Sequence, residues 1–437
     1  MKKLLSVFAV AALSTTSAMS VVACGVKKDS DVWVVTDTGK VKDKSFNESA
    51  FNAANKFLSQ DLKREGQSSY LEPKSPTDLE PAYQTSRKNG GKGLILPGYQ
   101  HANHIAKASE VYSEGDAPGT VVFLDGSSVK SGEEHYENVV GVLFKAEISG
   151  FYAGVASILY NFEKNNLKPV ITAYGGGEHS PFATSNALAG YFSSVMFMND
   201  LIEDSKTNEN ELLNSLLDII GKKPTDVKDA KVEFAPTQNF YGTTAMSANN
   251  FFSGTFAQGD GTPLSTKLIV DGKADVIFPF AGPQTEDTLK VIKDRKSNAL
   301  VVGADVDQTN LYGNYKDKFI TSALKNLEGA GRAALVHSKA FKSENIEIDK
   351  DIIEGTDQHG NPIEGDWDGK DVWFGGQIAT GKDNKFSADK AEKLMELLKA
   401  PGEKLSETYQ DGTNLTQFSY VFSKEFIASL AKSATGL

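Results

Sequence analysis

Three residues near the start of the chain carry the first chemistry. In "VVTDTGKVKDKSFNESAF", residues 34 to 51, Asp37 closes an apolar run, and Phe46 and Asn47 follow a short polar loop. Ser45 and Glu48 have the S-x-x-E spacing of a capping box, which predicts a helix starting at Phe46. The free backbone N–H groups of that helix start lie beside both side chains. A carboxylate, an aromatic face and an amide suit a planar, hydrogen-bonding ligand. The same residues also admit plain structural parts, with Phe46 as core, Asn47 solvated and Asp37 capping a turn.

Other motifs carry less. "HANH" puts His101 and His104 three apart, but no third His or Cys is placed nearby, so no metal site is expected. "DVDQTN" and "DWDGKD" resemble fragments of calcium loops without the spacing to a bidentate glutamate. "YGGGEHS" lacks both the G-x-G-x-x-G and the G-K-[ST] phosphate-binding patterns and reads as a tight strand-to-helix turn. No Ser/His/Asp order or paired-carboxylate spacing marks a catalytic centre, so the chain is not read as an enzyme and no cofactor is expected.

The elements that must position these residues are legible as apolar runs of strand length: "VWVVTD", "GLILPG", "TVVFLDG", "NVVGVLF", "PVITAYGGG", "KVEFAP", "ADVIFPFAG", "ALVVGAD" and "FITSAL". Most are continuous, as in strands covered on both faces. Helical periodicity fills many of the gaps. Phe46, Ala50, Ala54, Phe57 and Leu58 fall on one helix face. Alternating strands and helices predict an α/β class with parallel sheets. In such sheets ligands sit beyond the carboxyl ends of the strands, which places Asp37, Phe46 and Asn47 on one cleft edge. Residues 199 to 230 and 355 to 376 read as decorations, and "SADKAEKLMELLKAPG" as an amphipathic helix stopped by Pro401 and Gly402.

With 437 residues, the chain is long enough for more than one core. It has 46 Lys and Arg against 57 Asp and Glu, a net charge of -11. Without a dense basic run after its first residues, it is not expected to bind nucleic acid. Its single cysteine, Cys24, rules out a disulfide within one chain. The N-terminus, "MKKLLSVFAVAALSTTSAMSVVAC", has two lysines, an apolar stretch and then small residues, the layout of an export signal. Its end, "VVAC", resembles the lipobox of bacterial lipoproteins. That implies a signal peptide over residues 1 to 23, a lipidated (palmitate-bearing) Cys24 anchored in the lipid bilayer, and a tether over 24 to 31. An uncleaved membrane anchor is the alternative, although Ser14, Thr15, Thr16 and Ser17 interrupt it. Either places the rest of the chain outward-facing at the cell membrane.

"DTGKVKDKSFNESAF" resembles the opening motif of the basic membrane protein (BMP) family, PnrA-like substrate-binding lipoproteins that include purine nucleoside receptors. The resemblance continues in order through "GLILPGYQHA", "VVFLDG", "NVVGVLFKAEISGFYAGV", "YGGGEHSPFATSNALAGYF", "ADVIFPFAG", "VVGADVDQ" and "FITSALKNLEGAGRAAL", covering roughly residues 30 to 340. Lys40 and Lys42 depart from the glycine or acidic residues more common in the family. The resemblance implies a two-lobed, periplasmic-binding-protein-like (type I) fold, each lobe a parallel sheet flanked by helices, with a hinged cleft between them. It implies lobe 1 over 32 to 140 plus 306 to 322, and lobe 2 over 141 to 305 plus 323 to 437.

It further implies that Phe46 stacks on a nucleobase and that Asp37 and Asn47 read its edge. Phe280 is the choice for the opposing ring, with Phe278 one alternation earlier on the same face. Asp305 would accept from two ribose hydroxyls, with Asp307 as its competitor, and Lys325 would be the positive partner at the hinge. The expected function is capture of a nucleoside, a purine in preference, and its delivery to an ABC permease in the membrane. A sugar or other small molecule in the same cleft, or a surface antigen or adhesin, are the alternatives.

Overall fold

The computed structural model describes residues 30–37, 39–43, 45–132, 134–177, 184–238, 250–412 and 423–437. Cys24, the signal segment and most of the tether lie outside the described residues.

Strands β1 (Val32–Val35), β2 (Ser69–Leu71), β3 (Gly93–Pro97) and β4 (Thr120–Leu124) follow one another with a helix between each pair. A small antiparallel hairpin, β5 (Val129–Ser131) and β6 (Glu134–His135), leads into β7 (Val139–Phe144). After the long helix Ala146–Glu163 come β8 (Val170–Gly175), β9 (Glu233–Phe234), β10 (Val276–Phe280), β11 (Leu300–Asp305) and β12 (Phe319–Leu324). The chain then forms the helix Leu327–Val336, β13 (Lys370–Phe374) and β14 (Gln377–Ile378).

These strands build two sheets of six, ordered β2-β1-β3-β4-β7-β13 and β9-β8-β10-β11-β12-β14. Every neighbouring pair in the first is parallel, and in the second only β14 runs antiparallel. β1, β3, β4, β7 and β10 are buried along their whole length, as continuous apolar runs covered by helices on both faces require. The two-lobed α/β architecture expected from the sequence is the one found.

The lobe boundaries differ from expectation. β12 pairs with β11 and so belongs to the second sheet, whereas the expected division put most of it in lobe 1. The helix Leu327–Val336 returns to lobe 1, where Leu327, Ala330, Ala333 and Ala334 pack against Ala50, Ala53 and Ala54. An apolar run shows that a strand exists, but its partner is chosen by register, here Val302 opposite Thr321. Neither expected decoration stands apart. Leu213, Leu216, Leu217 and Val227 enter the lobe 2 core, and β13 is an edge strand of the first sheet beside β7. Pro401 and Gly402 do not end a helix. Helix Ala388–Leu397 closes before them, and they lie in the first turn of the next, Lys399–Gly412, where proline's missing N–H removes no bond.

The chain passes between lobes after β7, after β12 and between β13 and β14. Ser149 joins these crossings: its Oγ donates to Leu324 O at 2.8 Å and accepts from Gln377 N at 3.0 Å.

Candidate functional site

β1 ends just before Asp37, and the helix Phe46–Lys56 begins where the sequence predicts. Its cap is not the expected one. Ser45 makes no side-chain cap bond; instead Asp43 accepts from Ser45 N at 2.8 Å, Asn47 N at 3.0 Å and Glu48 N at 3.1 Å. A carboxylate two residues upstream can reach several free N–H groups at once, which a single hydroxyl cannot. Asn47 is buried and interlocked with Asp37: its Nδ2 donates to Asp37 Oδ1 at 3.2 Å, and Asp37 N donates to Asn47 Oδ1 at 3.3 Å. Burial raises the Asp37 carboxyl above its ordinary range, and the Asn47 bond opposes the rise. Gly98, at φ +93°, makes the close approach possible, because a Cβ there would stand 2.7 Å from Asp37 Oδ2.

β4 and β11 end in aspartates held at positive φ, Asp125 at +67° and Asp305 at +64°. Lys325, just past β12, reaches both. Its Nζ lies 3.0 and 2.8 Å from the Asp125 oxygens and 3.8 Å from Asp305 Oδ1. The same ammonium lies 5.5 Å from the centre of the Phe46 ring and 5.2 Å from that of Phe280, within cation–π range of both. Burial pushes the Asp305 carboxyl up to about 6, with Lys325 opposing and Asp125 adding to the rise. Burial raises Asp125 too, and Lys325 again opposes.

These groups meet around a cavity of about 760 Å³ between the lobes. Lobe 1 contributes Asp37, Phe46, Asn47, Tyr99 and Asp125, and lobe 2 contributes Phe256, Phe280, Asp305 and Gln308. Lys325 lines the cavity at a lobe crossing. All six residues singled out in the sequence, Asp37, Phe46, Asn47, Phe280, Asp305 and Lys325, therefore come together. The paired alternatives separate. Phe278 packs in the lobe 2 core with its ring 5.0 Å from Tyr191. Asp307 caps the turn at Thr309 and accepts from Asn384 Nδ2 at 3.1 Å. The "HANH" histidines have other partners: His101 Nδ1 lies 2.6 Å from the Tyr83 hydroxyl, and His104 Nδ1 lies 3.0 Å from Glu80.

Several lining residues escaped the sequence reading, among them Asp125, Phe256, Tyr99 and Gln308. Asp125 sits in the quoted "VVFLDG", a strand-end aspartate like Asp305, and that parallel was the available signal. Phe256 packs over Gly176 and Gly177, so the "YGGG" run serves in part to seat an aromatic ring. Tyr99 meets Phe256 across the cleft at 5.6 Å. No local sequence signal marks that pair.

Residues 252–363, which include β10, β11, β12 and Lys325, match the family model Bmp, described as ABC transporter substrate-binding protein PnrA-like. The match is confined to that part of the chain. The description is that of a substrate-binding protein of ABC transporters. An uncharacterized lipoprotein of Mycoplasma pneumoniae is 21% identical over 417 residues, covering 79% of this chain and 61% of its own length. The chain thus spans less than two thirds of that relative. Among solved structures, an ABC transporter solute-binding protein from Aeropyrum pernix K1 shares the fold with a TM-score of 0.53 and 16% identity, over 93% of this chain and 91% of that one. Among the described residues, no helix is long and apolar enough to cross a membrane, and no group of three or more His, Cys, Asp or Glu residues could hold a metal ion.

Proposed function

We propose that this chain is a surface lipoprotein, anchored in the bilayer through acylated Cys24, that captures a nucleoside between its lobes and delivers it to an ABC permease. The observation that carries the reading is the convergence on one interlobe cavity of two aromatic side chains, Phe46 and Phe280, with carboxylates from both lobes and the shared Lys325. Aromatic faces hold a base of any identity, at about 1–3 kcal/mol per stacked base. Asp37 and Asn47 take the base edge, and Asp305 takes the sugar hydroxyls. A purine, with the larger stacking face, is the first candidate. The ligand groups are divided between lobes, so the site is complete only when the lobes close.

Thermal unfolding of the full chain against nucleosides, free bases, nucleotides and sugars tests this. A nucleoside at 100 times its dissociation constant adds about 2.7 kcal/mol of stability, and the rise should vanish in Phe46→Ala and Asp305→Ala. A rise with sugars alone, or with none of these ligands, would overturn the nucleoside reading.

A further inference from the structure

Two of the lobe crossings are alike in backbone and unlike in what holds them. Lys145 joins β7 to the helix Ala146–Glu163 with φ −73° and ψ 63°, and Asn326 precedes the helix Leu327–Val336 with φ −77° and ψ 62°. Asn326 caps its own helix, its side chain accepting from Gly329 N at 3.0 Å. Lys145 makes no such local bond. Its Nζ lies 2.9 Å from Glu403 Oε2, on the helix Lys399–Gly412 near the end of the chain, and its side chain is only 4% exposed. A lysine is seldom buried to that degree unless it is paired.

That pair spans the lobes. The Lys145 backbone N–H donates to Phe374 O, at the end of β13 in lobe 1, at 2.9 Å. The helix Lys399–Gly412 is set in lobe 2, with Leu405 and Tyr409 in its core. A second grip lies two residues on. Glu147, fully buried, accepts from Ser406 Oγ at 2.7 Å and Gln410 Nε2 at 3.2 Å on the same helix, and from Asn186 Nδ2 at 3.0 Å. Gly402 is pressed against the next turn, where a Cβ would stand 3.1 Å from the Tyr152 ring and 3.2 Å from Ile148. The C-terminal helix thus holds the crossing residue and the start of the helix that follows it. Lys145, Glu147 and Glu403 are not among the described residues that line the interlobe cavity.

A hinge moves by changing the backbone angles of a few connecting residues. Opening the lobes turns β13 against the helix Lys399–Gly412, and Lys145, bonded to both, must strain or break one of its two bonds. The pair is formed here with the lobes together, Tyr99 meeting Phe256 across the cleft. We propose that Lys145 and Glu403 are positioning residues for ligand capture, through which the C-terminal helix clamps the first crossing and favours the closed lobes from outside the cleft. The proposal goes beyond the function above and takes from it only that a ligand is held between the lobes. When the competent state is less populated, apparent affinity falls by the same fraction for every ligand. Loss of the clamp should therefore weaken all ligands alike, by about 5- to 150-fold.

Solution X-ray scattering of the full chain without ligand, and calorimetric titration with adenosine and with uridine, test this on Glu403→Ala, Lys145→Met and the double variant. Each single variant should enlarge the radius of gyration of the free chain and weaken binding, while the ligand-saturated chain keeps the wild-type radius. The double variant should match the singles, because the two residues act as one unit. Lys145→Met leaves no buried charge behind, so it carries the test if Glu403→Ala folds poorly. A purely structural role would lower stability in urea with radius and affinity unchanged, and that result overturns the proposal, as does a double variant whose effects multiply. The scattering needs no ligand, so an absence of heat with both nucleosides counts against the nucleoside reading while the radius of the free chain still decides the clamp.

Discussion

The two walls of the cleft are built on opposite principles. On the lobe 1 side, Asp37 and Asn47 bond to each other twice, Asp43 gathers three N–H groups, and Gly98 lets its strand end press against Asp37. That wall is held by its own hydrogen bonds. On the lobe 2 side, Asp305 Oδ1 and Gln308 Oε1 are buried and have no hydrogen-bond partner among the described residues, and Asp305 has only the 3.8 Å ion pair with Lys325. Lys325 shows the same imbalance, lying 2.8 Å from Asp125 and 3.8 Å from Asp305. Changes in the hydrogen-bonded frame of the first wall, at Asp37, Asp43, Asn47 or Gly98, should therefore register mainly in folding stability, and changes at Asp305 mainly in ligand affinity.

The largest expected effect tests the shared cation. Among the described residues lining the cavity, Lys325 is the only lysine or arginine, and it faces two buried carboxylates. Lys325→Met should cost about 3–5 kcal/mol of unfolding free energy in urea at neutral pH, the penalty for a buried charge stripped of its partner. Adding Asp125→Asn should recover much of it, because Asp125 holds the shorter contacts. A single variant within about 1 kcal/mol of wild type would show that the carboxylates are compensated elsewhere.

A pair of glycines sharpens the contrast between walls. Gly98→Ala places a methyl at φ +93° against Asp37 and should cost about 1–3 kcal/mol. Gly282 also has positive φ, +56°, and lines the cavity from lobe 2, yet a Cβ there meets nothing within 4 Å. Gly282→Ala should cost only the backbone penalty, about 1–2 kcal/mol. Equal losses in urea melts would remove the claim that the lobe 1 wall is the tightly packed one. Phe46→Ala should lose about 1–3 kcal/mol of nucleoside affinity by titration with little change in the melting temperature, since the ring is half-buried. A fall in melting temperature without a change in affinity would reassign Phe46 to the core.

The cleft was more legible in the sequence than the frame that holds it. Strand-end aspartates and a helix-start aromatic announce themselves because parallel sheets put both at the same edge. Lobe membership is decided by long-range register, and the run "FITSAL" looks the same whether its neighbour is β11 or a strand of the other sheet. The helix cap was misassigned because Ser45 and Glu48 had the right spacing while Asp43 had the better reach. Tyr99 and Phe256 were missed because their meeting depends on how the lobes close, and no local pattern encodes that.

The smallest effect is the one whose sign discriminates best. Burial lifts Asp305 from an ordinary 3.8 to about 6, so between those values the folded chain holds a proton that the unfolded chain does not. This group's contribution to stability therefore rises as pH falls through about 6 and levels off below 3.8, by less than about 1.4 kcal/mol per pH unit. Asp37 and Asp125, also raised by burial, act in the same direction, so the comparison must be with Asp305→Asn. Ligand affinity should move the other way, because a protonated carboxyl loses an acceptor for the sugar hydroxyls. Wild type minus variant, measured at pH 7.5 and pH 5 by urea unfolding and by nucleoside titration, should show a gain in stability and a loss of affinity on acidification. If both quantities change in the same direction, Asp305 is a buried structural carboxyl and not the ligand-facing group of the lobe 2 wall.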